Sequence, residues 1–118
     1  MKYMLLVIGF HPAESPDGTA EDLGGPTVEE FQAFDQSMRD AGVRVDGSAL
    51  AGVDIATTVQ VRPDGERVIT NGPFAETREY LGGYIVVDVP DLDAALDWAA
   101  RCPGARYGRV EVRPLMEF

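Results

Sequence analysis

The chain is 118 residues long, which is enough for one domain with a sizeable hydrophobic core. Its formal net charge of −10 argues against a protein that binds nucleic-acid phosphates or an anionic membrane surface, and solubility alone accounts for such acidity. The single Cys102 excludes an intrachain disulfide, and one cysteine with one histidine argues against a metal site.

The first predicted element is a β-strand over residues 2–10, KYMLLVIGF. Both of its faces are apolar, because successive side chains of a strand point to opposite sides. One face carries Tyr3, Leu5 and Val7, and the other carries Met4, Leu6 and Ile8. This apolar run is too short to span a membrane and no signal-peptide pattern is present, so we expect a cytoplasmic protein. Residues 11–26 are rich in Pro, Gly, Asp and Glu and predict a loop.

A helix is predicted to follow and to end at about Ala41. Thr27 and Glu30 fit a capping box, in which Thr27 caps the first turn and Glu30 reaches back, and Gly42 suits the position just after the helix. At about 100° per residue, the apolar side chains of this helix form one stripe, which is its expected buried face. Its members are Val28, Phe31, Phe34, Met38 and Ala41.

Asp35 falls on the apolar stripe of this helix, between Val28 and Phe31 in projection. A carboxylate on a buried face needs a partner, which makes Asp35 a candidate site residue. The alternative is that Asp35 lies near the edge of the stripe and reaches water, since buried charges are rare. The sequence leaves both interpretations open.

The middle of the chain predicts a hairpin. Residues 44–50 form a short extended segment that leads into a turn. Residues 55–62 alternate between apolar and polar side chains, as a strand with one covered face does. Pro63, Asp64 and Gly65 make a turn, after which residues 67–70 pair back as a short arm.

A second turn, at Asn71, Gly72 and Pro73, precedes the strand at residues 84–89, YIVVDV, which is apolar on both faces. Asp91 is then the N-cap of a second helix. The buried stripe of this helix consists of Leu92, Ala95, Leu96, Ala99 and Cys102, flanked by Trp98. The last predicted strand covers residues 108–115.

This order of elements is the split βαβ arrangement of ferredoxin-like α+β folds, in one domain over residues 1–118. The two strands with apolar faces on both sides, at residues 2–10 and 84–89, belong at the centre of an antiparallel sheet, and residues 55–62 and 108–114 at its edges. Helices cover only one face of such a sheet, so the other apolar face needs a cover. A second copy of the chain is the simplest one, and we therefore expect a homodimer.

The run NGPFAETRE at residues 71–79, followed by LGGY at 81–84, closely resembles the DGPF-type branch of the YCII-related proteins. The resemblance continues through DVPDLD at 88–93, WAARCP at 98–103 and VEVRP at 110–114, and includes MKYMLL at the start. Asn71 departs from the pattern, because the motif that names the branch has aspartate there. The resemblance implies a ferredoxin-like fold of the dimeric α/β-barrel type. It also implies an association of some members with extracytoplasmic-function sigma factors, which favours a regulatory role.

The resemblance further implies a chemistry for part of the family. Some YCII relatives are enzymes, including a dehydrochlorinase that acts on a chlorinated hydroxyquinol, and a His–Asp pair has been proposed for relatives. His11 and Asp35 are the candidates for that pair in this chain, although the family histidine usually lies in or near the first helix. Histidine titrates near neutral pH and suits proton transfer, whereas a solvated loop histidine is the alternative.

Two functions therefore remain. One is a noncatalytic, dimeric module that binds a small organic ligand or regulates a partner, and the other is a cofactor-independent lyase or isomerase. In the second, His11 is the base and Asp35 its partner, beside a pocket between helix and sheet. The expected ligand contacts are Tyr3, Phe34, Asn71, Phe74 and Tyr84. The alternative to ligand contact for Phe74 and its neighbours is a structural role, in which they shape a turn and fill the core.

An anionic ligand could be received by three of the chain's arginines, Arg44, Arg62 and Arg78. Scattered arginines are usually surface residues, which is the alternative. The sequence has no phosphate-binding loop, no nucleophile elbow and no HExxH pattern, so no cofactor or metal is expected.

Overall fold

The computed structural model of the protein describes residues 1–10, 25–72 and 79–118. Its strands are β1 (Lys2–Phe10), β2 (Arg44–Ala49), β3 (Thr57–Val61), β4 (Arg67–Asn71), β5 (Glu79–Asp88) and β6 (Arg109–Pro114). Its helices are α1 (Val28–Asp40), α2 (Leu92–Arg101) and the short α3 (Gly104–Tyr107), with a 3₁₀ turn at Val53–Ile55.

The main sheet has four strands in the order β2-β5-β1-β6, and each neighbouring pair is antiparallel. The predicted α+β class is confirmed, and this arrangement agrees with a ferredoxin-like fold. The strands that are apolar on both faces, β1 and β5, lie at the centre, as expected from their need to be covered on both sides. Their register places Leu5 opposite Ile85 and Leu6 opposite Tyr84.

The prediction that residues 55–62 form an edge of this sheet was wrong. The edge strand beside β5 is β2, while β3 and β4 form a separate two-stranded sheet. Val59, Val61 and Ile69 of that hairpin are more than half exposed. Alternation along β3 is what an amphipathic edge strand would show, whereas β2 contains Asp46 and Gly47 and has a weak intrinsic strand preference. Pairing with β5, rather than local preference, makes β2 a strand.

The helices cover one face of the main sheet and enclose the core with it. The core side chains from the sheet are Tyr3, Leu5, Val87 and Val89, and those from the helical layer are Phe34, Met38, Ala95, Ala99 and Cys102. Cys102 is the buried small hydrophobe that the sequence predicts, and burial raises the pKa of its thiol. The predicted stripes are too wide, because Val28, Leu92 and Leu96 are 68%, 47% and 46% exposed.

Helix α1 begins and ends on the residues that its sequence indicates. The Thr27 hydroxyl accepts a hydrogen bond from the Glu30 backbone N–H at 3.1 Å, but the Glu30 carboxylate lies 3.4 Å from Arg106 instead of reaching back to Thr27. At the other end, Gly42 has a φ of 73°, which glycine adopts without steric penalty. The Gly42 and Val43 N–H groups donate to the carbonyls of Arg39 and Met38, which is a Schellman motif.

The sheet face that carries no helix is apolar along its centre. Met4 and Leu6 of β1 lie opposite Val86 and Tyr84 of β5, so these side chains share that face. Polar residues border the apolar centre on both sides. These are Asp46 and Ser48 on β2, and Glu111 and Arg113 on β6. No described helix of the chain is long and apolar enough to cross a membrane.

Candidate functional site

A cavity of about 720 Å³ lies between α1 and the sheet, at the end of β1 that precedes residue 11. Its described wall comes from five elements and their flanks. The larger side chains that line it include Phe10, Phe31, Phe34, Met38, Arg44, Leu50, Tyr80 and Tyr107. Several of the remaining wall positions are glycines, including Gly47, Gly82, Gly83 and Gly108. At Gly47, Gly83 and Gly108 the backbone of a neighbouring segment passes so close that an added Cβ would lie within 3.1 Å of it.

One ion pair forms a wall of this cavity. The Nε of Arg44 donates to Asp35 Oδ1 at 2.5 Å, and the Nε of Arg39 donates to Asp35 Oδ2 at 2.6 Å. Arg44 also donates from Nη2 to the Gly47 carbonyl at 3.2 Å. Asp35 and Arg44 line the cavity, whereas Arg39 does not line it and is 53% exposed. Asp35 is thus partnered by two arginines and is also partly exposed to water.

The hydrogen bond from Arg39 lowers the pKa of Asp35 below its ordinary value, burial opposes this shift, and Arg44 adds to it. Asp35 therefore stays ionised at neutral pH and continues to accept hydrogen bonds from both guanidinium groups. Such a carboxylate accepts hydrogen bonds and positions cations, but it is a weak base.

The chain brings Arg44 to Asp35 by a short reversal after α1. The Schellman motif turns the backbone at Gly42, and Val43 returns to the core beside Met38, so β2 starts with Arg44 beside the last turns of the helix. Sequence reasoning named Arg44 as one of three arginines that could receive an anionic ligand, with a surface position as the alternative, and did not connect it with Asp35. The feature of the sequence that could have identified Arg44 is the Asp35 carboxylate on the apolar stripe of α1, since a buried carboxylate needs a cation within reach.

The predicted ligand residues are spread over the molecule. Phe34 lines the cavity, and it is also packed against Trp98 with ring centroids 6.2 Å apart. Tyr84 contributes to the wall, but its hydroxyl lies on the opposite sheet face, 3.4 Å from Asp46 Oδ2. Tyr3 is buried in the core, and Asn71 is exposed at the base of the hairpin opposite Thr57, and neither lines the cavity.

His11 and Phe74 lie outside the described residues, and so does Arg78. His11 directly follows Phe10, which ends β1 and lines the cavity. Within the described ranges, no group of three or more His, Cys, Asp or Glu side chains could hold a metal ion. The charged side chains in the described cavity wall are those of Asp35 and Arg44.

A family model for the YCII-related domain matches residues 1–118. The chain belongs to the YCII-related family. This YCII-related protein is also similar to an uncharacterized protein of Rhizobium meliloti (strain 1021), with 47% identity over 53 residues. That match covers 43% of this chain and 43% of the relative, so the chain spans less than half of the relative's length. The family resemblance predicted from the sequence is confirmed, and the DGPF-type branch stays a prediction.

Proposed function

We propose that this YCII-related protein is a dimeric module that binds a small, largely apolar organic molecule in the cavity between α1 and the sheet. The cavity itself carries this proposal, because about 720 Å³ lies within the range of ligand sites in proteins. Its wall combines aromatic and aliphatic side chains with a few polar groups, which is the usual composition of such sites. Tyrosines and phenylalanines in the wall favour a ring-containing ligand.

The first experiment measures binding of N-phenyl-1-naphthylamine, a neutral apolar dye whose fluorescence rises in an apolar pocket. Ala49 lines the cavity and lies opposite Gly83 on the helix-covered side of the sheet. Ala49→Trp would fill that space, so we expect it to weaken dye binding by about tenfold or more. The exposed Ala100 on α2 is the matched control, and Ala100→Trp should bind the dye as the wild type does.

Two results would contradict a cavity that binds ligands. One is a wild-type protein that shows no saturable rise in fluorescence. The other is an Ala49→Trp variant that binds the dye as tightly as the wild type, because the dye would then sit elsewhere. Circular dichroism of each variant establishes that the fold is retained.

The helix-free sheet face supports the dimeric part of the proposal. Leu6 and Met4 would be covered by the same face of a second copy, which is the isologous contact of a two-fold dimer. The polar residues on β2 and β6 would then form the rim, as they do in other protein interfaces. A link to a sigma factor stays a prediction from family resemblance alone.

A cofactor-independent lyase or isomerase is the second candidate. It is favoured by the position of Asp35 in the cavity wall and by the sequence position of His11 next to Phe10, another wall residue. The arginines weaken this candidate, because both Asp35 oxygens already accept hydrogen bonds from them. Binding without catalysis is therefore the function that we propose first.

The lyase candidate predicts release of chloride from a chlorinated hydroxyquinol, measured with a chloride electrode. His11→Ala should abolish this release, because the general base is removed, and Asp35→Asn should reduce it by about tenfold or more. A wild-type protein that releases no chloride, or a His11→Ala variant with full activity, would rule out this chemistry.

A further inference from the structure

We infer that Arg44 is the ligand-recognition residue of the cavity, and that the ligand is a ring-containing organic anion such as an aromatic carboxylate. This inference rests on the proposed function, since it names the chemical class of the ligand that the cavity takes. It is carried by the fixed position of Arg44, by its remaining hydrogen-bond donors and by the charge balance of its ion pair.

The Arg44 side chain is held in one place before any ligand arrives. Its Nε is fixed by Asp35, its Nη2 donates to the Gly47 carbonyl, and its side chain is only 17% exposed. Asp35 is itself held by Arg39 from the far side. A guanidinium group fixed in this way loses little conformational freedom when it binds an anion, which favours affinity.

The guanidinium group of Arg44 still has donors to offer. Arginine carries five N–H groups, and within the described ranges two of those on Arg44 have protein acceptors. The others belong to Nη1 and Nη2, at the end of the side chain. A planar carboxylate accepts two parallel hydrogen bonds from such a pair, which is a strong and geometrically selective contact.

The charges around the cavity also favour an anion. Two guanidinium groups share one carboxylate, so the cluster of Arg39, Asp35 and Arg44 carries one net positive charge. Asp35 has both oxygens occupied, and no other acidic side chain lines the described wall. This site is thus locally positive in a chain of net charge −10. The apolar wall around it raises the strength of a hydrogen bond between charged groups.

The test compares two competitors that share one ring system. 2-Naphthoate carries a carboxylate where 2-naphthalenemethanol carries a neutral hydroxymethyl group. The binding of each is measured by how well it displaces N-phenyl-1-naphthylamine. We expect the wild type to prefer the naphthoate. Arg44→Gln should weaken naphthoate binding by about tenfold or more, because a charged hydrogen bond is lost, and should change binding of the alcohol by less than about threefold.

Arg62→Gln is the matched control. It removes one positive charge at the exposed hairpin, where Arg62 is 62% exposed and does not line the cavity. We expect this variant to keep the preference for naphthoate to within about threefold.

If Arg44→Gln loses the dye as well, Arg44→Lys decides the test, because it keeps the charge and removes the planar fork. A reduced preference in that variant supports the inference.

The outcomes separate the two proposals. If the wild type binds neither the dye nor the competitors, the proposed function is wrong. If both competitors bind and the Arg44 variants keep the wild-type preference, the cavity binds ligands but Arg44 does not select an anion, and the inference is overturned. An equal loss of preference in Arg62→Gln also overturns it, because the net charge of the protein, and not a contact from Arg44, would then explain the effect.

Discussion

Replacing Leu6 with lysine is expected to convert a dimer into a folded monomer. Leu6 lies in the middle of the helix-free sheet face, opposite Tyr84 on β5 and Glu111 on β6. In a monomer the new ammonium group would reach water and its cross-strand neighbour Glu111, so the fold should tolerate it. In a dimer through this face, both lysines would be removed from water, and desolvation of these charges opposes association.

Size-exclusion chromatography with light scattering measures the molar mass of both proteins at one concentration. We expect the wild type at twice the chain mass of 12.8 kDa and the Leu6→Lys variant at the chain mass. Leu92→Lys is the matched control, because Leu92 is 47% exposed on α2 in the helical layer, and it should remain a dimer. A monomeric wild type, or a dimeric Leu6→Lys variant, would show that this face is not the interface.

The sequence predicts the local elements of this protein well, because their signals lie within a few residues. The Thr27 cap and the glycine after α1 are contacts between near neighbours in the chain, and both are present. The two apolar faces of β1 likewise identify a central strand without knowledge of its partners. The cap of α2 at Asp91, which accepts from the Ala94 N–H at 2.9 Å, is another example.

The edge of the sheet could not be predicted in the same way. Strand β2 owes its conformation to hydrogen bonds with β5, which lies more than thirty residues away in sequence. Residues 57–61 have the stronger local strand signal, yet they pair only with β4 in the described sheet arrangement. Strand preference measures how well a residue fits its neighbours on a sheet, and those neighbours are unknown from the sequence.

In the candidate site, too, some residues could be predicted from local sequence, and others only from contacts between distant segments. Asp35 could be identified from its place on an apolar helix face, because helical periodicity is local. Its partner Arg44 could not be separated from other arginines until the turn at Gly42 had placed β2 beside α1. Tyr84 was predicted as a ligand contact, and it contributes to the cavity wall, but the register of β5 places its hydroxyl beside Asp46 on the other sheet face. A shift of one residue in register would reverse this assignment.

Replacing Gly108 with alanine is expected to lower the free energy of unfolding by about 2–3 kcal/mol. Gly108 joins α3 to β6, and a Cβ added there would overlap the Ile8 carbonyl oxygen and lie 3.2 Å from its carbon. These are backbone atoms of the central strand β1, so no side-chain rotation can relieve the overlap. The connection between α3 and β6 would have to move away from the sheet, which would weaken the packing of both.

Urea unfolding followed by circular dichroism, with both proteins at one concentration, measures the change. Gly25→Ala is the control, because a Cβ at Gly25 meets no atom of the described residues within 4 Å, and its free energy of unfolding should stay within about 0.5 kcal/mol of the wild type. Gly108 and Ile8 both line the cavity, so the displaced backbone should also weaken binding of the neutral dye. A Gly108→Ala variant as stable as the wild type would mean that β1 and β6 do not approach as closely there.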